Sequence, residues 1–422
     1  MRKIELLVPA SSLEVLKIAV VFGADAVYIG GEAFGLRAKA KNFSHEEMAE
    51  GITFAHEQGV KVYVTVNILA HNDDLPGVRE YLKELKELKP DALIIADPGI
   101  FTYAREICPE IECHISTQAN NTNYETYRFW YRLGAKRVVT ARELSLKEIR
   151  EIRANIPDDM EIETFVHGAM CISYSGRCLL SNYFTGRDAN HGACTHPCRW
   201  KYAVVEETRP GEYLPVEENE RGTYIFNSKD LCMIEHIPDL MTAGIDSFKI
   251  EGRMNTALYV ATVARTYLKA IDDYARDPAL YVKNLPWYQE QIADCTFRRF
   301  TTGFFYGKPG QNYDGAEYSQ TCDYVGMVIS SEQTDKGTWR IGVDLRNRFF
   351  FEDTLEAISA THGIVADIPL LTLNHADGYP VAAADRTRNI YLFETDRPLE
   401  VGDYLRRRRE TNAKNVPQKG QA

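Results

Sequence analysis

The chain has 422 residues, 45% of them hydrophobic and 26% charged, the balance of an ordinary folded protein, which excludes disorder as its main state. A net charge of −11, from 49 Lys and Arg against 60 Asp and Glu, excludes a uniformly basic nucleic-acid coat but not a local basic groove. No apolar run approaches the roughly 20 residues that span a bilayer, so no membrane is expected as a partner.

The opening MRKIELLVPASS reads as a first β-strand rather than a cleaved signal. Nine cysteines without a signal point to a cytoplasmic location, where thiols stay reduced and clustered cysteines usually bind metal. One phrase then recurs: a Gly or Pro, a polar residue, and four or five aliphatic or β-branched residues. Its instances are GADAVYIGG from Gly23, GVKVYVTVN from Gly59, KPDALIIAD from Lys89, GAKRVVTAR from Gly134 and GIDSFKIEGR from Gly244. With IELLVPA at the start, IECHISTQ from Ile111 and IETFVHGA from Ile162, eight strands are predicted. Their nearly unbroken apolar character suits parallel strands buried on both faces.

Amphipathic stretches lie between them. Ser11–Glu14, Ser44–Glu47 and Ser145–Glu148 each fit the S-x-x-E capping box that opens a helix. Eight strand–helix units predict an α/β fold, a TIM-like (β/α)8 barrel over residues 1–277. A doubly wound sheet is the rival, but no G-x-G-x-x-G follows the first strand. The rhythm breaks after strand seven. Residues 169–227 form a Cys-rich insertion at the C-terminal end of a barrel strand, where such barrels build active sites, and the next helix is expected from about Ser228.

Residues 278–310 read as a mixed, Pro-punctuated connecting segment. From 311 to 409 the alternating runs YVGMVIS, RIGVDL, IYLFE and YLRRR predict a small C-terminal all-β domain, and 410–422 a loose polar tail.

Four cysteines stand in the pattern C-x6-C-x15-C-x3-C: Cys171, Cys178, Cys194 and Cys198. Beside Arg177, Arg187 and Arg199, such a set can hold a tetrahedral metal or an iron–sulfur cluster. Zinc sites usually carry C-x2-C knuckles, and none occurs here; clusters tolerate wider spacings. His191 and His196 are possible substitutes, and Cys232, placed by SKDLC at a helix start, is a reserve ligand. Cys108, Cys113, Cys295 and Cys322 are isolated and read as structural.

The run ETFVHGAMC from Glu163, continued by SGRCLLS from Ser175, resembles the signature of the collagenase-like peptidase family of unknown catalytic type, peptidase family U thirty-two. LLVPA, GADAVYIGG, CTHPCRWKY, NSKDL, KIEGR and EVGDYLRR extend the resemblance over essentially the whole chain. The resemblance implies one of two activities. Some members were labelled proteases; others resemble oxygen-independent hydroxylases with a 4Fe-4S cluster. CTHPC and the appended β-domain make the chain most similar to the tRNA-hydroxylating branch. That branch implies 5-hydroxyuridine formation at the wobble position, prephenate as hydroxyl source, and Cys171, Cys178, Cys194 and Cys198 as cluster ligands, the fourth being the ligand that varies within the family. The partners implied are a tRNA anticodon arm and a small dicarboxylic metabolite; whether a second family member joins them is left open.

Against proteolysis, the chain has no H-E-x-x-H and no G-x-S-x-G, and nothing compels a Ser175–His167 dyad. Polar residues end several strands: Asn67, Asp97, Gln118, Arg142, His167, Lys249, Glu251 and Arg253, with Arg37 in the loop after strand two. At a barrel mouth such groups line a pocket. Arg37, Asn67, Gln118, Arg142, Lys249 and Arg253 are the candidate substrate-binding residues, the cations for carboxylates. His167 and Glu251 are the candidate acid–base groups, with a packed histidine and an internal ion-pair partner as their alternatives. Arg406–Arg409, with Arg298 and Arg299, offers either a phosphate-binding face or a solvated edge strand guarded by charge.

Overall fold

The computed structural model describes residues 3–32, 34, 42–171, 173–175, 177–191, 193–200, 203–205, 213–215, 229–252, 256–295, 299–307, 309 and 322–409. Arg37, Arg253, Arg298, the expected helix start at Ser228 and the 410–422 tail lie outside them.

The eight expected strands form a closed parallel barrel: β1 (Glu5–Pro9), β2 (Ala26–Gly30), β3 (Lys61–Val66), β4 (Ala92–Ile95), β5 (Glu112–Ile115), β6 (Arg137–Val139), β7 (Glu161–Ala169) and β8 (Ser247–Ile250). Neighbours follow chain order, and β8 closes the ring by pairing in parallel with both β7 and β1. β2, β4 and β8 are buried at every position, as a wall covered on one face by helices and on the other by the barrel core must be.

The covering helices are α1 (Leu13–Val21), α2 (His45–Glu57), α3 (Leu75–Leu88), α4 (Pro98–Ile107), α5 (Tyr124–Arg132), α6 (Leu146–Asn155), α7 (Ile237–Thr242) and α8 (Ala257–Arg276). Two of the predicted capping boxes are present in full, Ser44 with Glu47 and Ser145 with Glu148. At α1 the cap is instead Ser12, whose hydroxyl accepts from the Val15 amide. That choice of serine leaves Glu14 a residue short of the box position.

After β7 comes the Cys-bearing insertion. The chain returns in a short strand, Asp230–Cys232, antiparallel to β7 with Cys232 opposite His167. Cys232 therefore lies in a strand, not at a helix start. The segment after Asp277 is also more regular than its prolines suggest: α9 (Pro278–Ala293) starts with Pro278 in its first turn, where no N–H is needed, under the Asp277 cap. Asn284 and Tyr288 of α9 both donate to the Asp273 carboxylate of α8, fastening the two helices.

The C-terminal domain is a seven-stranded antiparallel sheet: β9 (Cys322–Gln333), β10 (Trp339–Leu345), β11 (Leu355–Ser359), β12 (Gly363–Ile368), β13 (Thr372–His375), β14 (Ile390–Thr395) and β15 (Tyr404–Arg408). Its order is β12-β11-β15-β9-β10-β14-β13. The arginine strand β15 is thus interior to the sheet, between β11 and β9, which overturns the edge-strand reading of that run. Arg406 is buried and bonds Asp294 at 3.0 Å, Glu356 at 2.8 Å and Gln291 at 2.8 Å. Arg408 reaches Glu356, Glu290 and Asp294; Arg407 pairs with Asp323 and Asp353, and Arg409 with Asp323. Carboxylates of α9 and of the segment just after it are matched by β15, so the run clamps the β-domain to the barrel. An apolar contact beside it joins Ile18 of α1 and Phe22, its C-cap, to Ile358 and Tyr404.

Candidate functional site

Two of the motifs, VHGAM and KIEGR, meet where the barrel closes. The Glu251 amide donates to the His167 carbonyl at 2.8 Å. Gly168 has φ +105°, and a Cβ there would lie 2.3 Å from the Glu251 carbonyl oxygen, so only glycine lets the two strands approach this closely. Tyr28, from β2, donates to the Ile250 carbonyl at 3.0 Å and lies 3.1 Å from Glu251 Oε2. Tyr259 of α8 donates to the Glu251 carbonyl at 3.0 Å. Glu251 is thus held over the barrel core.

Beneath it the core is ionic. Lys249 Nζ lies 2.7 Å from Glu163 and sits over the rings of Tyr28 and Phe165 at 4.5 and 5.4 Å. Arg137 binds Glu163 at 3.1 Å and also Glu5 and Glu161, while Ser247 and Tyr63 donate to Glu5. Burial alone would raise these carboxyls, but their cations prevail: Lys249 and Arg137 hold Glu163 below its ordinary value, and Arg137 brings Glu5 down to about 2. Lys249 is therefore already matched by Glu163. Glu163, rather than Glu251, is its internal partner.

On the rim, Arg142 donates from Nη1 to the Ala169 carbonyl at 2.8 Å and stacks over Phe165 at 4.2 Å; its buried Nε has no hydrogen-bond partner. After β3 and β5, Asn67 Nδ2 is 3.4 Å from Ser116 Oγ, and Gln118 is buried with Oε1 unpartnered. Buried polar atoms without partners are uncommon, and a mouth is where a ligand can satisfy them. Asp97 instead caps α4, accepting from the amides of Gly99 and Ile100.

His167 is buried among Tyr259, Tyr267 and Phe300, at ring separations of 6.0, 5.5 and 5.8 Å. Burial pulls its pKa down to about 3, so the imidazole is neutral at physiological pH. Of its two sequence readings, these surroundings support the packed one.

The insertion folds back onto the β5 side of the mouth. Asn120, left-handed at φ 52°, donates to the Ser175 carbonyl at 3.1 Å and accepts from Arg177 Nε at 2.8 Å. Within the insertion, Ser181 Oγ accepts from the Thr195 amide at 3.0 Å, stitching the helix Leu180–Thr185 to the CTHPC segment. Cys171 and Cys194 are exposed, Cys178 and Cys198 partly so, and none of the nine cysteines is in a disulfide. Cys232 is partly buried, with its Sγ 3.9 Å from the Tyr267 hydroxyl, and burial pushes its thiol up to about 12.

A model of peptidase family U32 matches residues 11–315. The chain belongs to peptidase family U32. It is 42% identical to tRNA hydroxylation protein P1 of Bacillus subtilis over 414 residues, which is 96% of this chain and 95% of that one. It is 39% identical to tRNA hydroxylation protein P of Escherichia coli, over 91% of this chain and 92% of that one. An uncharacterized protease of Methanocaldococcus jannaschii is 39% identical, over 89% and 91%.

For this U32 protein the cluster ligands implied by the resemblance can be weighed against the geometry. Four thiols on one loop at the barrel mouth suit a thiolate-bound cluster in kind and number. Among the described residues, no three His, Cys, Asp or Glu side chains form a group that could hold a metal ion.

Tyr28, Glu163 and Asn120 escaped the sequence reading. Glu163 had a usable signal: with Arg137 and Lys249 it puts opposite charges inside three successive apolar strands, the pattern of an internal ion network. Asn120 had a weaker one, an Asn-Asn pair after β5, since Asn tolerates the left-handed turn its position requires.

Proposed function

We propose that this chain is an RNA hydroxylase that converts the wobble uridine of tRNA to 5-hydroxyuridine, with prephenate as the hydroxyl source. The observation that carries this reading is the near full-length similarity to two proteins named for tRNA hydroxylation, including the cysteine loop over the mouth. Exchange of a donor's hydroxyl for the hydrogen at uridine C5 balances without an outside oxidant. A 4Fe-4S cluster on Cys171, Cys178, Cys194 and Cys198 would supply one-electron chemistry. Arg142, with an N–H to spare, and Gln118 and Asn67 would orient the dicarboxylic donor; Arg37 and Arg253 complete the proposed set. Glu251, held by Tyr28, is the proposed proton-handling group, whereas the neutral, enclosed His167 is not.

The peptidase reading finds less support. The ring of His167 is walled by Tyr259, Tyr267 and Phe300, while Ser175 is seated over the β5 loop through its carbonyl. The two do not form a nucleophile–base pair of the kind hydrolysis needs. Anaerobically prepared protein, incubated with unmodified tRNA with and without prephenate, tests the proposal. Prephenate-dependent 5-hydroxyuridine in the digested tRNA is expected. Unmodified tRNA together with cleavage of denatured collagen would favour the peptidase.

A further inference from the structure

The insertion carries a feature that neither the barrel nor the cysteines require. Tyr183 is 82% exposed, and Tyr174, Leu179, Phe184 and Trp200 are exposed as well. Three of these rings form a row: Tyr183 and Phe184 have centroids 5.3 Å apart, and Phe184 and Trp200 6.3 Å apart. The row is held in place. The helix Leu180–Thr185 ends on left-handed Gly186, and the Ser181–Thr195 bonds tie it to the segment that carries Trp200. Large apolar groups grouped in water mark an interaction surface.

Charge indicates what the surface takes. The chain as a whole is acidic, at −11, yet residues 171–201 carry Arg177, Arg187, Arg199 and Lys201 against Asp188 alone. Arg177 and Arg187 of this segment are exposed. Exposed flat rings on a cationic segment suit a polyanion with flat faces of its own, that is, unpaired nucleotides whose bases stack while arginines meet phosphates. The loop is anchored at the mouth through Asn120, so nucleotides stacked there would lie beside the site into which a flipped base must enter.

We infer that Tyr183, Phe184 and Trp200 form a stacking platform for the unpaired nucleotides flanking the target base. This rests on the RNA-hydroxylase reading and adds to it the surface that holds the loop. It also replaces Arg406–Arg409, whose charges are matched internally, as the RNA-binding surface.

The test uses the full chain, an anticodon stem–loop RNA, and heparin as a polyanion without bases. Trp200 fluorescence should be quenched by the RNA and not by heparin, and Trp200→Phe should abolish the quenching while retaining affinity. The triple variant Tyr183→Ala, Phe184→Ala, Trp200→Ala should bind the RNA about 10- to 100-fold more weakly, with heparin binding unchanged. No Trp200-dependent quenching in the native protein, equal losses for RNA and heparin, or quenching that tracks protein concentration without RNA (a second copy covering the face) would each overturn the inference. Its failure is separable from that of the enzyme reading: a triple variant that binds RNA normally and still restores 5-hydroxyuridine to a deletion strain sinks the platform alone.

Discussion

In the barrel, Glu5, Arg137, Glu163 and Lys249 are charged groups taken out of water; on the insertion, Tyr183, Phe184 and Trp200 are rings left in it. The first set is matched within the fold, cation to carboxylate between barrel strands, and so is the arginine run of β15. The second set stays exposed in a chain that has a large core available. Buried charge and exposed aromatic area are both departures from ordinary burial, but only the second points outward to a partner. In this protein charge along a strand builds scaffold, and the loop carries the contact surface.

Of the matched charges, Arg406 is the costliest to remove. Arg406→Met leaves Asp294 and Glu356 without their buried partner and is expected to destabilise the protein by about 3–5 kcal/mol in urea unfolding. A change under about 0.5 kcal/mol would return the run to the surface. Next in size is Gly168→Ala, which places a methyl against the Glu251 carbonyl at a left-handed φ; about 1–3 kcal/mol is expected from the same measurement.

Acid sharpens the contrast further. His167 has its pKa lowered from 6.5 to about 3, so the unfolded chain binds the proton more readily than the folded one. Its contribution is complete above about pH 6.5 and is lost as pH falls toward 3. Glu5, lowered from 4.5 to about 2, adds a second loss below about pH 4.5 with the same sign. His167→Phe should therefore flatten the upper part of the acid limb, read as unfolding free energy against pH. If the imidazole only packs, the variant keeps activity within a few-fold; a fall of about 10²–10⁴ would make it a general acid–base group.

The smallest effect on stability is expected on the loop. Cys171→Ser, Cys178→Ser, Cys194→Ser or Cys198→Ser should each leave unfolding within about 0.5 kcal/mol while removing bound iron from anaerobically prepared protein. Cys232→Ser should leave the iron in place. Iron retained in the Cys198 variant and lost in the Cys232 variant would exchange the two assignments.

The barrel was legible because its signal is repeated: eight apolar runs in phase with two complete capping boxes. The β-domain was half legible; the alternating runs gave β9, β10, β14 and β15, but β11, β12 and β13 have no comparable alternation. Helix α9 was hidden by prolines that a first turn and a helix interior both tolerate here. At the mouth, the sequence indicated which residues end strands but not which way they turn. Lys249 and Glu251 are two apart in one motif, yet the first is paired with Glu163 inside the barrel and the second meets Tyr28. The arginine run misled for the same reason: its partners, Asp294 and Glu356, are distant in sequence and become visible only once α9 and β11 are in place.

Nucleoside analysis of tRNA from a strain lacking this protein tests the central claim most directly, repeated in a strain that also lacks any second family member so that a paralogue cannot mask the loss. The account predicts that 5-hydroxyuridine and its derivatives disappear from the wobble position and return when the native chain, but not the Cys171→Ser variant, is supplied. Unchanged wobble uridines in the double deletion, accompanied by altered peptide turnover, would contradict it.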